Sequence, residues 1–212
     1  MSRPRRLVLI TGTGTEVGKT WVAAELAREL AAAGVSVAAR KPAQSFAPGD
    51  GPTDAEVLAS ATDEDAHAVC PALRWYETPM APPMAAEVLG RPAFTIADLV
   101  DELAWPEGTA VGLVEGAGGP RSPLATDGDT VDLAAALSPD LVVLVADAGL
   151  GTINAVRLAA SPFEPIAPVC VALNRYDARE ELHARNRAWF AAHTGIDITV
   201  DVPALATRVR VF

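Results

Sequence analysis

Lysine is nearly missing from this chain of 212 residues. Of its 17 basic residues only Lys19 and Lys41 are lysines, and all the others are arginines. The sequence therefore uses arginine wherever a positive charge serves only to keep the surface soluble. A lysine retained against that bias marks a place that needs a compact ammonium on a flexible stem rather than a planar guanidinium. Both lysines are therefore candidate functional residues.

Cysteine and aromatic residues are scarce as well. Cys70 and Cys170 are the only cysteines, and neither lies in a CxxC pair or near a cluster of histidines. A disulfide or a zinc site is therefore not expected, and the sequence predicts two buried free thiols. Aromatic residues make up 5% of the chain whereas 50% of it is hydrophobic, so the core is expected to consist of alanine, valine, leucine and isoleucine.

Net positive charge and long apolar runs are also lacking. The formal net charge is -10, and such an acidic surface repels a phosphate backbone, so no nucleic-acid partner is expected. Near the N-terminus three arginines precede only the apolar run Leu7–Ile10, which is too short for a signal peptide or a membrane span. We therefore expect a cytoplasmic protein without a membrane partner.

The N-terminal part of the chain has the pattern of a parallel βαβ unit. A strand is predicted at 7–10, a loop at 11–18, a helix from 19 to about 33, and a second strand at 35–39. The helix is predicted from apolar residues at helical spacing, Val22, Leu26 and Leu30, and from Gly34 after its last turn. The order strand, loop, helix, strand is typical of parallel strands that are joined by a crossover helix.

Later apolar runs repeat this pattern. Further strands are predicted at 110–114, 141–146 and 166–173, and helices at 54–61, 131–137, 153–160 and 179–193. Continuous apolar strands without alternation belong to a parallel sheet that is covered on both faces. Segments 46–52 and 76–83, rich in proline or glycine, are predicted to be irregular, and neither is long enough to separate two domains. The prediction for residues 1–212 is a single α/β domain with one doubly wound, mostly parallel sheet and helices on both faces.

The segment GTGTEVGKT at 12–20 has the composition of a phosphate-binding loop and lies directly between a predicted strand and a predicted helix. Such a loop directs backbone N–H groups at an anion, and the helix adds its positive end. The predicted nucleotide contacts are Gly14, Glu16, Val17, Gly18, Lys19 and Thr20. Lys19 is predicted to reach the β- and γ-phosphates, and the Thr20 hydroxyl to ligate Mg²⁺. The pattern G-x-x-x-x-G-K-[ST] is broken only by Thr13, which occupies the first glycine position. Lys41 is a candidate for the same phosphates.

Two acidic residues are expected to face this loop, because the ligands of an open α/β sheet gather at the carboxyl ends of its strands. Glu115 directly follows a predicted strand and precedes the glycine-rich run 116–119, which lets the backbone pass close to a ligand. Asp54 begins a predicted helix. With the Thr20 hydroxyl, the two carboxylates form a set of hard oxygen ligands that suits Mg²⁺. An ordinary N-cap for Asp54 and a solvated loop acid for Glu115 remain alternatives.

These motifs resemble the dethiobiotin synthetase family, ATP-dependent enzymes that close the ureido ring in biotin synthesis. The resemblance runs in order from residue 7 to about residue 205. It is carried by the phosphate loop at 12–20, KPAQS at 41–45, PMAPP at 79–83, VEGAGG at 114–119 and GLGTIN at 149–154. The phosphate loop and VEGAGG together are specific, since most phosphate-loop proteins lack such a strand end. The fold implied is that of the P-loop NTPases.

The resemblance implies a reaction of a diamine, 7,8-diaminopelargonate, with CO₂ and ATP in the presence of Mg²⁺. One amine forms a carbamate, ATP phosphorylates it, and the second amine attacks the mixed anhydride to close the ring. This chemistry needs cations over the carbamate and phosphate oxygens more than it needs a strong base. Lys19 and Lys41 match the positions that supply these cations. Thr15 and Ser45 match residues that contact the carbamate or the substrate and complete the catalytic set, and Gly118 matches a further substrate contact.

The resemblance also implies a homodimer with the substrate site at the subunit interface, where Leu150 and Asn154 of one subunit reach the site of the other. A plain strand-to-helix loop is the alternative for that segment, although free N–H groups at the helix start suit a carboxylate. Asn174 matches a residue that contacts the nucleotide base, with Pro203 and Leu205 on the other side of the base. An asparagine at a strand end is also often only a turn former.

Two departures from the family pattern bear on specificity. Phe46 follows Ser45 where family members usually have a glycine, and it is expected to crowd or reshape the pocket beside Lys41. The chain ends at Phe212, soon after the segment that matches the base site, which is expected to shorten that wall of the nucleotide pocket.

Two other functions stay open at this point. One is a paralogue that carboxylates and cyclises, or merely phosphorylates, a different amine. The other is a nucleotide-switched ATPase of the partitioning or metallochaperone type. Proteins of that type usually carry a lysine early in the phosphate loop, where this chain has Gly14. The sequence also lacks a membrane-targeting amphipathic tail and a metal-binding Cys/His cluster.

Overall fold

The computed structural model describes residues 3–211, which form ten strands and nine α-helices. The strands are β1 (Arg6–Gly12), β2 (Val37–Arg40), β3 (Gln44–Ser45), β4 (Trp75–Tyr76), β5 (Val111–Glu115), β6 (Pro123–Ala125), β7 (Gly128–Asp129), β8 (Leu141–Asp147), β9 (Val169–Asn174) and β10 (Asp197–Thr199). The α-helices are α1 (Lys19–Ala32), α2 (Asp54–Thr62), α3 (Ala66–Val69), α4 (Pro82–Val88), α5 (Ile96–Asp101), α6 (Thr130–Leu137), α7 (Thr152–Ala160), α8 (Glu181–His193) and α9 (Val202–Val211). Within this described part of the chain, every helix is too short or too polar to span a lipid bilayer.

Six strands form one parallel sheet in the order β10-β9-β8-β1-β5-β2. The central strand β1 shows how helices cover both faces of this sheet, because successive side chains of a strand point to opposite faces. Val8 and Ile10 pack in the cluster that contains α1 and α2, whereas Leu7 and Leu9 pack in the cluster that contains α5 and α6. The predicted α/β fold, a parallel sheet with helices on both faces, is therefore confirmed.

The predicted strands and helices of this sheet are present with shifted ends. The strand predicted at 35–39 begins only at Val37, and the strand predicted at 166–173 begins only at Val169. Ile166 and the following residue are held in a turn, because their N–H groups donate to the Phe163 carbonyl.

The segments outside the sheet were predicted less well. Segment 46–52 is irregular, as predicted. The prediction that 76–83 is irregular is wrong at both ends, since β4 ends at Tyr76 and α4 begins at Pro82. Prolines are tolerated in the first turn of a helix, where the N–H groups have no intrahelical partner in any case.

The carboxyl ends of the parallel strands lie along one edge of the sheet, where such folds bind their ligands. Ile10 of β1 is in register with Glu115 at the end of β5 and with Val143 of β8. β2 lies next to β5 on the other side, so the residue that follows β2, Lys41, is brought to the same edge. The fold therefore places one lysine and one acid beside the loop that contains the other lysine.

Both cysteines are free and fully buried, which confirms the prediction from their spacing. Burial raises the pKa of the Cys70 and Cys170 thiols to about 12. A thiol with so high a pKa stays protonated at neutral pH and is a poor nucleophile. Both cysteines are therefore part of the core.

Candidate active site

The phosphate loop at 12–20 connects β1 to α1. Gly18 caps α1 in the left-handed conformation with φ of 92°, and a Cβ atom there would lie 2.2 Å from Nδ2 of Asn174. Only glycine suits this position, because it has no side chain and tolerates positive φ. Glu16 has a positive φ of 61°, a costly conformation that non-glycine residues often adopt at functional sites. The loop ends at the N-terminus of α1, where N–H groups and the helix dipole favour an anion.

Lys19 begins α1 and lies over the phosphate loop. Its side chain is buried, with 7% exposure, and Nζ donates a hydrogen bond to the Gly14 carbonyl at 2.8 Å. Burial and the nearby Lys41 ammonium lower the pKa of Lys19, while Glu115 and Asp54 oppose that shift. Since two ammonium groups repel each other, their proximity favours a ligand that carries several negative charges.

Lys41 follows β2 and is enclosed by acidic groups. Its Nζ atom lies 2.6 Å from Oδ2 of Asp54 and 2.7 Å from Oε1 of Glu115, and it donates a hydrogen bond to the Gly116 carbonyl at 3.1 Å. Burial by itself would lower the pKa of Lys41, but the two carboxylates outweigh burial and raise this pKa above its ordinary value. Lys41 is therefore a permanent cation between the two acids.

Asp54 and Glu115 converge on Thr20 as well as on Lys41. The Thr20 hydroxyl lies 2.8 Å from Oδ1 of Asp54 and 2.9 Å from Oε1 of Glu115. The Lys41 ammonium lowers the pKa of Asp54, whereas burial raises the pKa of Glu115 in spite of the same ammonium. The four side chains form one connected group of charges and hydrogen bonds.

The alternative roles for these acids, an N-cap for Asp54 and a solvated loop acid for Glu115, are wrong. The N-cap of α2 is Thr53, which forms a capping box with Glu56, and Asp54 is the first residue inside the helix. Glu115 is 1% exposed and is therefore not a solvated loop acid. The start of α2 is held in place by Gln44, whose Oε1 accepts a hydrogen bond from the first turn of the helix at 2.9 Å.

The oxygen atoms around Thr20 fit a Mg²⁺ ion. Oε2 of Glu115 is buried and has no hydrogen-bond partner among the described residues. The part of the chain that the structure describes contains no group of three or more His, Cys, Asp or Glu side chains that would hold a metal ion by itself. Mg²⁺ does not require such a group, because it is usually bound by one or two carboxylates, waters and the phosphates of a substrate. Thr20, Asp54 and Glu115 therefore suit Mg²⁺ that is bound together with a phosphate ligand.

A cavity of about 810 Å³ contains both lysines, both acids and the predicted substrate residues Thr15, Ser45 and Gly118. We call it the lysine cavity. Oγ of Ser45 donates a hydrogen bond to a carbonyl of the proline-rich segment 79–82 at 2.5 Å. Gly118 has φ of 65°, and a Cβ atom there would lie 2.4 Å from Oγ of Ser122. The backbone at Gly118 therefore passes too close to its neighbours for any other residue.

The expectation that Phe46 crowds the lysine cavity is wrong. The N–H group of Phe46 donates to the Tyr76 carbonyl at 3.0 Å, and its ring packs edge-on against Trp75 with the ring centroids 6.0 Å apart. Phe46 is not among the residues that line the cavity. Successive side chains of an extended segment point to opposite sides, so Ser45 faces the cavity and Phe46 faces away from it.

A second cavity, of about 730 Å³ and mostly apolar, adjoins the first at Gly18. We call it the apolar cavity. The predicted base contacts Asn174, Pro203 and Leu205 line it. Nδ2 of Asn174 donates a hydrogen bond to the Val17 carbonyl at 2.9 Å. One N–H of this amide therefore holds the phosphate loop and is not available to a base.

Arg175 and Trp21 are among the residues that line these cavities and were not predicted. Arg175 lines both of them, and its Nη2 atom donates a hydrogen bond to the Glu16 carbonyl at 2.9 Å. Trp21 lines the apolar cavity and is 55% exposed. A signal for Trp21 exists in the sequence, because the helical spacing that buries Val22 leaves Trp21 off the core-facing side. The contact of Arg175 depends on the approach of two distant loops and has no local signal.

Leu150 and Asn154 line neither cavity. Leu150 lies in the loop between β8 and α7 and is 91% exposed, and Leu158 on α7 is 68% exposed. Of the N–H groups at the start of α7, those of Thr152 and Ala155 already donate to backbone carbonyls. Within one chain this segment is therefore separate from the group of charges around Lys41.

Comparisons with known proteins relate the chain to a family of enzymes. Residues 6–210 match the family profile described as an AAA domain. The ATP-dependent dethiobiotin synthetase of Rhodococcus jostii (strain RHA1) is 38% identical to this chain over 96% of it and 88% of that protein. The enzyme of the same name from Anaeromyxobacter dehalogenans (strain 2CP-1 / ATCC BAA-258) is 42% identical over 97% of this chain and 94% of that protein.

A solved structure with a similar fold is that of cobyrinic acid a,c-diamide synthase from Mycobacterium smegmatis with a bound ATP analog and magnesium. It aligns with a TM-score of 0.51 and 15% identity over 96% of this chain and 91% of that chain. At so low an identity the likeness concerns the fold alone.

Proposed function

Since this chain belongs to the dethiobiotin synthetase family, we propose that it is an ATP-dependent carbon–nitrogen ligase that forms dethiobiotin from 7,8-diaminopelargonate and CO₂. The observation that carries the proposal is the enclosure of Lys19 and Lys41 with two acids and a phosphate loop in one cavity. Fixed cations of this kind are what the transfer of a phosphoryl group to a carbamate requires.

The proposed reaction has three steps. One amine of the diamine adds to CO₂ and loses a proton, which forms a carbamate. A carbamate oxygen then attacks the γ-phosphorus of ATP, and the bond from that phosphorus to the bridging oxygen breaks and releases ADP. The second amine attacks the carbonyl carbon and loses a proton, and phosphate leaves with the former carbamate oxygen. The ureido ring is then closed.

The residues of the lysine cavity divide these tasks. Lys19 neutralises the β- and γ-phosphates from the side of the phosphate loop, and Lys41 stabilises the charge that passes between the carbamate and the γ-phosphate. Thr15 and Ser45 orient the carbamate by hydrogen bonds, and the backbone at Gly118 approaches the substrate. Because the ammonium groups of Lys19 and Lys41 are already fixed in a buried site, they stabilise the developing charge without reorganisation of solvent.

The nucleotide occupies both cavities in this proposal. Its phosphates lie on the loop that contains Gly14, Glu16, Val17 and Gly18, and its base lies in the apolar cavity against Asn174, Pro203 and Leu205. Thr20, Asp54 and Glu115 hold Mg²⁺, which neutralises part of the charge on the β- and γ-phosphates when it is bound.

Removal of either acid is expected to weaken the Mg²⁺-dependent binding of ATP. Asp54→Asn and Glu115→Gln each remove one anionic oxygen ligand, so the Mg²⁺ concentration that half-saturates ATP binding should rise at least about 10-fold. Glu56→Gln alters an acid on the same helix as Asp54 and should leave the Mg²⁺ dependence unchanged. Calorimetric titration of ATP at several Mg²⁺ concentrations measures the effect. An unaltered Mg²⁺ dependence in both acid variants would exclude this metal site.

We further propose that the working unit is a homodimer in which Leu150 and Asn154 of one subunit complete the substrate site of the other. The exposure of Leu150 and Leu158 supports this, since a subunit interface at this segment would remove both apolar side chains from water. The N–H groups of Ile153 and Asn154, between the two that already donate to backbone carbonyls, suit the carboxylate of the substrate.

Leu150→Asp is expected to dissociate this dimer and to raise the KM for the diamine, because it places a charge in the interface beside the substrate carboxylate. The control is Leu73→Asp, which changes a leucine of 55% exposure outside the proposed interface and should alter neither property. Sedimentation and steady-state kinetics at the same protein concentration measure both. A monomeric wild-type protein with full activity rules the dimer out.

The direct test of the proposed function is an assay for the product. The purified protein is incubated with 7,8-diaminopelargonate, bicarbonate, ATP and Mg²⁺, and dethiobiotin is measured by mass spectrometry. We expect dethiobiotin only when all four are present, with one ADP for each ring. ADP formation that needs a different amine would favour the paralogue. ATP hydrolysis that needs no amine and increases with a protein partner would favour the nucleotide switch.

A further inference from the structure

We infer that Trp21 is a nucleotide-binding residue that stacks on the base of the bound nucleotide. This inference rests on the proposed function in one respect, namely that a nucleoside triphosphate is a substrate. Trp21 lies in the first turn of α1, two residues after Lys19, and its side chain is 55% exposed. A tryptophan that is more than half exposed and lines an apolar cavity presents its ring to a ligand of that cavity.

The other three tryptophans pack against aromatic or basic side chains. Trp75 contacts the rings of His67 and Phe46, Trp105 lies under a guanidinium, and Trp189 stacks on a histidine. Trp21 makes no aromatic or cation–π contact within residues 3–211, and its indole N–H has no hydrogen-bond partner there. More than half of the Trp21 surface is accessible to a ligand.

The position of Trp21 fits the base rather than the phosphates. Gly18 and Arg175 line both cavities, so the two cavities adjoin at these residues. A ligand that extends past them lies partly in each cavity. The lysine cavity contains the cations and the acids, and it attracts the triphosphate. The rest of the nucleotide then enters the apolar cavity, whose walls include Trp21, Leu205 and Pro203. Flat apolar walls suit a flat base, and an aromatic wall adds stacking to the burial of apolar area.

The expected effect follows from the energy of stacking. When an aromatic side chain that stacks on a nucleic acid base is replaced by alanine, the affinity for the base falls by about 5- to 150-fold. Every base has a π-face, so this contact by itself favours a base without selecting which one. Trp21 therefore adds affinity for a nucleoside triphosphate relative to a triphosphate without a nucleoside.

The experiment compares two probes, ATP and inorganic tripolyphosphate, on the full chain with Mg²⁺. Trp21→Ala should raise the Kd for ATP at least about 5-fold and leave the Kd for tripolyphosphate within about 2-fold. Trp21→Phe keeps a stacking ring and should retain most of the affinity for ATP. We expect ATP to change the tryptophan fluorescence of the wild type, and Trp21→Phe should lose that change. Trp189→Ala, which changes a tryptophan outside both cavities, is the matched control and should bind both probes as the wild type does.

The same variants separate binding from chemistry. In the ring-closure assay Trp21→Ala should raise the KM for ATP and leave kcat within about 3-fold, because the base does not take part in the reaction. An unchanged Kd for ATP in Trp21→Ala overturns the inference, as does an equal loss of affinity for both probes, which would show a structural defect. A wild type that binds ATP through Trp21 but forms no dethiobiotin would overturn the proposed function and leave this inference standing. A wild type that binds neither probe would overturn both.

Discussion

Ring closure by the Lys41→Ala variant is expected to be slower than that of the wild type by about 10²- to 10³-fold or more. Lys41 is the cation that lies farthest from solvent in the site, with 2% exposure, and it contacts both acids. In the proposed reaction its ammonium stabilises charge that develops only in the transition state. The loss should therefore appear in kcat, whereas the affinity for ATP at saturating Mg²⁺ should change by no more than about 3-fold.

The ion pairs of Lys41 add a second expected result. Without this ammonium, Asp54 and Glu115 lack their internal cation, so they should attract Mg²⁺ more strongly and the half-saturating Mg²⁺ concentration should fall. Lys41→Arg is the control for folding, because it keeps a positive charge between the acids. Its planar guanidinium differs in shape from an ammonium, so this variant should stay folded and still close the ring slowly. Near-normal ring closure in Lys41→Ala would show that this lysine has no catalytic role.

Removal of Lys41 also bears on stability. Breaking a buried ion pair by removal of one partner costs about 3–5 kcal/mol, because the other charge is left uncompensated. Glu115 is 1% exposed, and burial already raises its pKa. In Lys41→Ala without Mg²⁺ this carboxyl is expected to take up a proton, which limits the loss of stability, and bound Mg²⁺ would replace that proton as the counter-charge. Thermal unfolding of both Lys41 variants, with and without Mg²⁺ and ATP, separates a loss of folding from a loss of chemistry.

The second large effect is expected for Lys19→Ala, which should lose both nucleotide affinity and turnover. Nζ of Lys19 lies over the phosphate loop at 2.8 Å from the Gly14 carbonyl, and in the proposal it binds the β- and γ-phosphates. A hydrogen bond to a charged group contributes about 1.5–3 kcal/mol, so the Kd for ATP should rise by about 10- to 150-fold.

AMP provides the sharper comparison for this variant, because it has no β- or γ-phosphate. Its affinity should therefore change much less than that of ATP in Lys19→Ala. Arg28→Ala changes a basic residue on the same helix, one that is paired with Glu25 at the surface, and should leave both affinities unchanged. Equal losses of ATP and AMP affinity would indicate that Lys19 supports the fold of the loop instead of binding the outer phosphates.

The parts of the fold that the sequence predicted are those with strong local patterns. The run at 7–10, the glycine-rich loop and the alanine-rich helix can be recognised without any knowledge of the partners they pack against. The elements that were missed are short or have a proline in their first turn. β10 has three residues, α4 begins at Pro82, and α9 carries Pro203 in its first turn. Elements of these two kinds are stabilised by tertiary contacts more than by their own propensities.

The candidate site shows the same division. The meeting of the phosphate loop with Glu115 and Lys41 was predictable, because strands of a parallel sheet end at one edge. The side on which Phe46 lies was not predictable, since it depends on the pairing of β3 with β4. The contact of Asn174 with the phosphate loop likewise depends on residues 157 positions apart in sequence. Local pattern therefore located the site, and tertiary pairing determined which side chains point into it.

The most direct measurement of the central claim follows an oxygen atom from bicarbonate to phosphate. If the two lysines bring a carbamate to the γ-phosphorus, each phosphate released in a rapid reaction with ¹⁸O-labelled bicarbonate should carry one oxygen from the bicarbonate, and Lys41→Ala should release almost none. Mass spectrometry of the phosphate measures this directly. Phosphate without label, formed together with dethiobiotin in reactions too short for bicarbonate to exchange oxygen with water, would contradict a phosphorylated carbamate and the role given to both lysines.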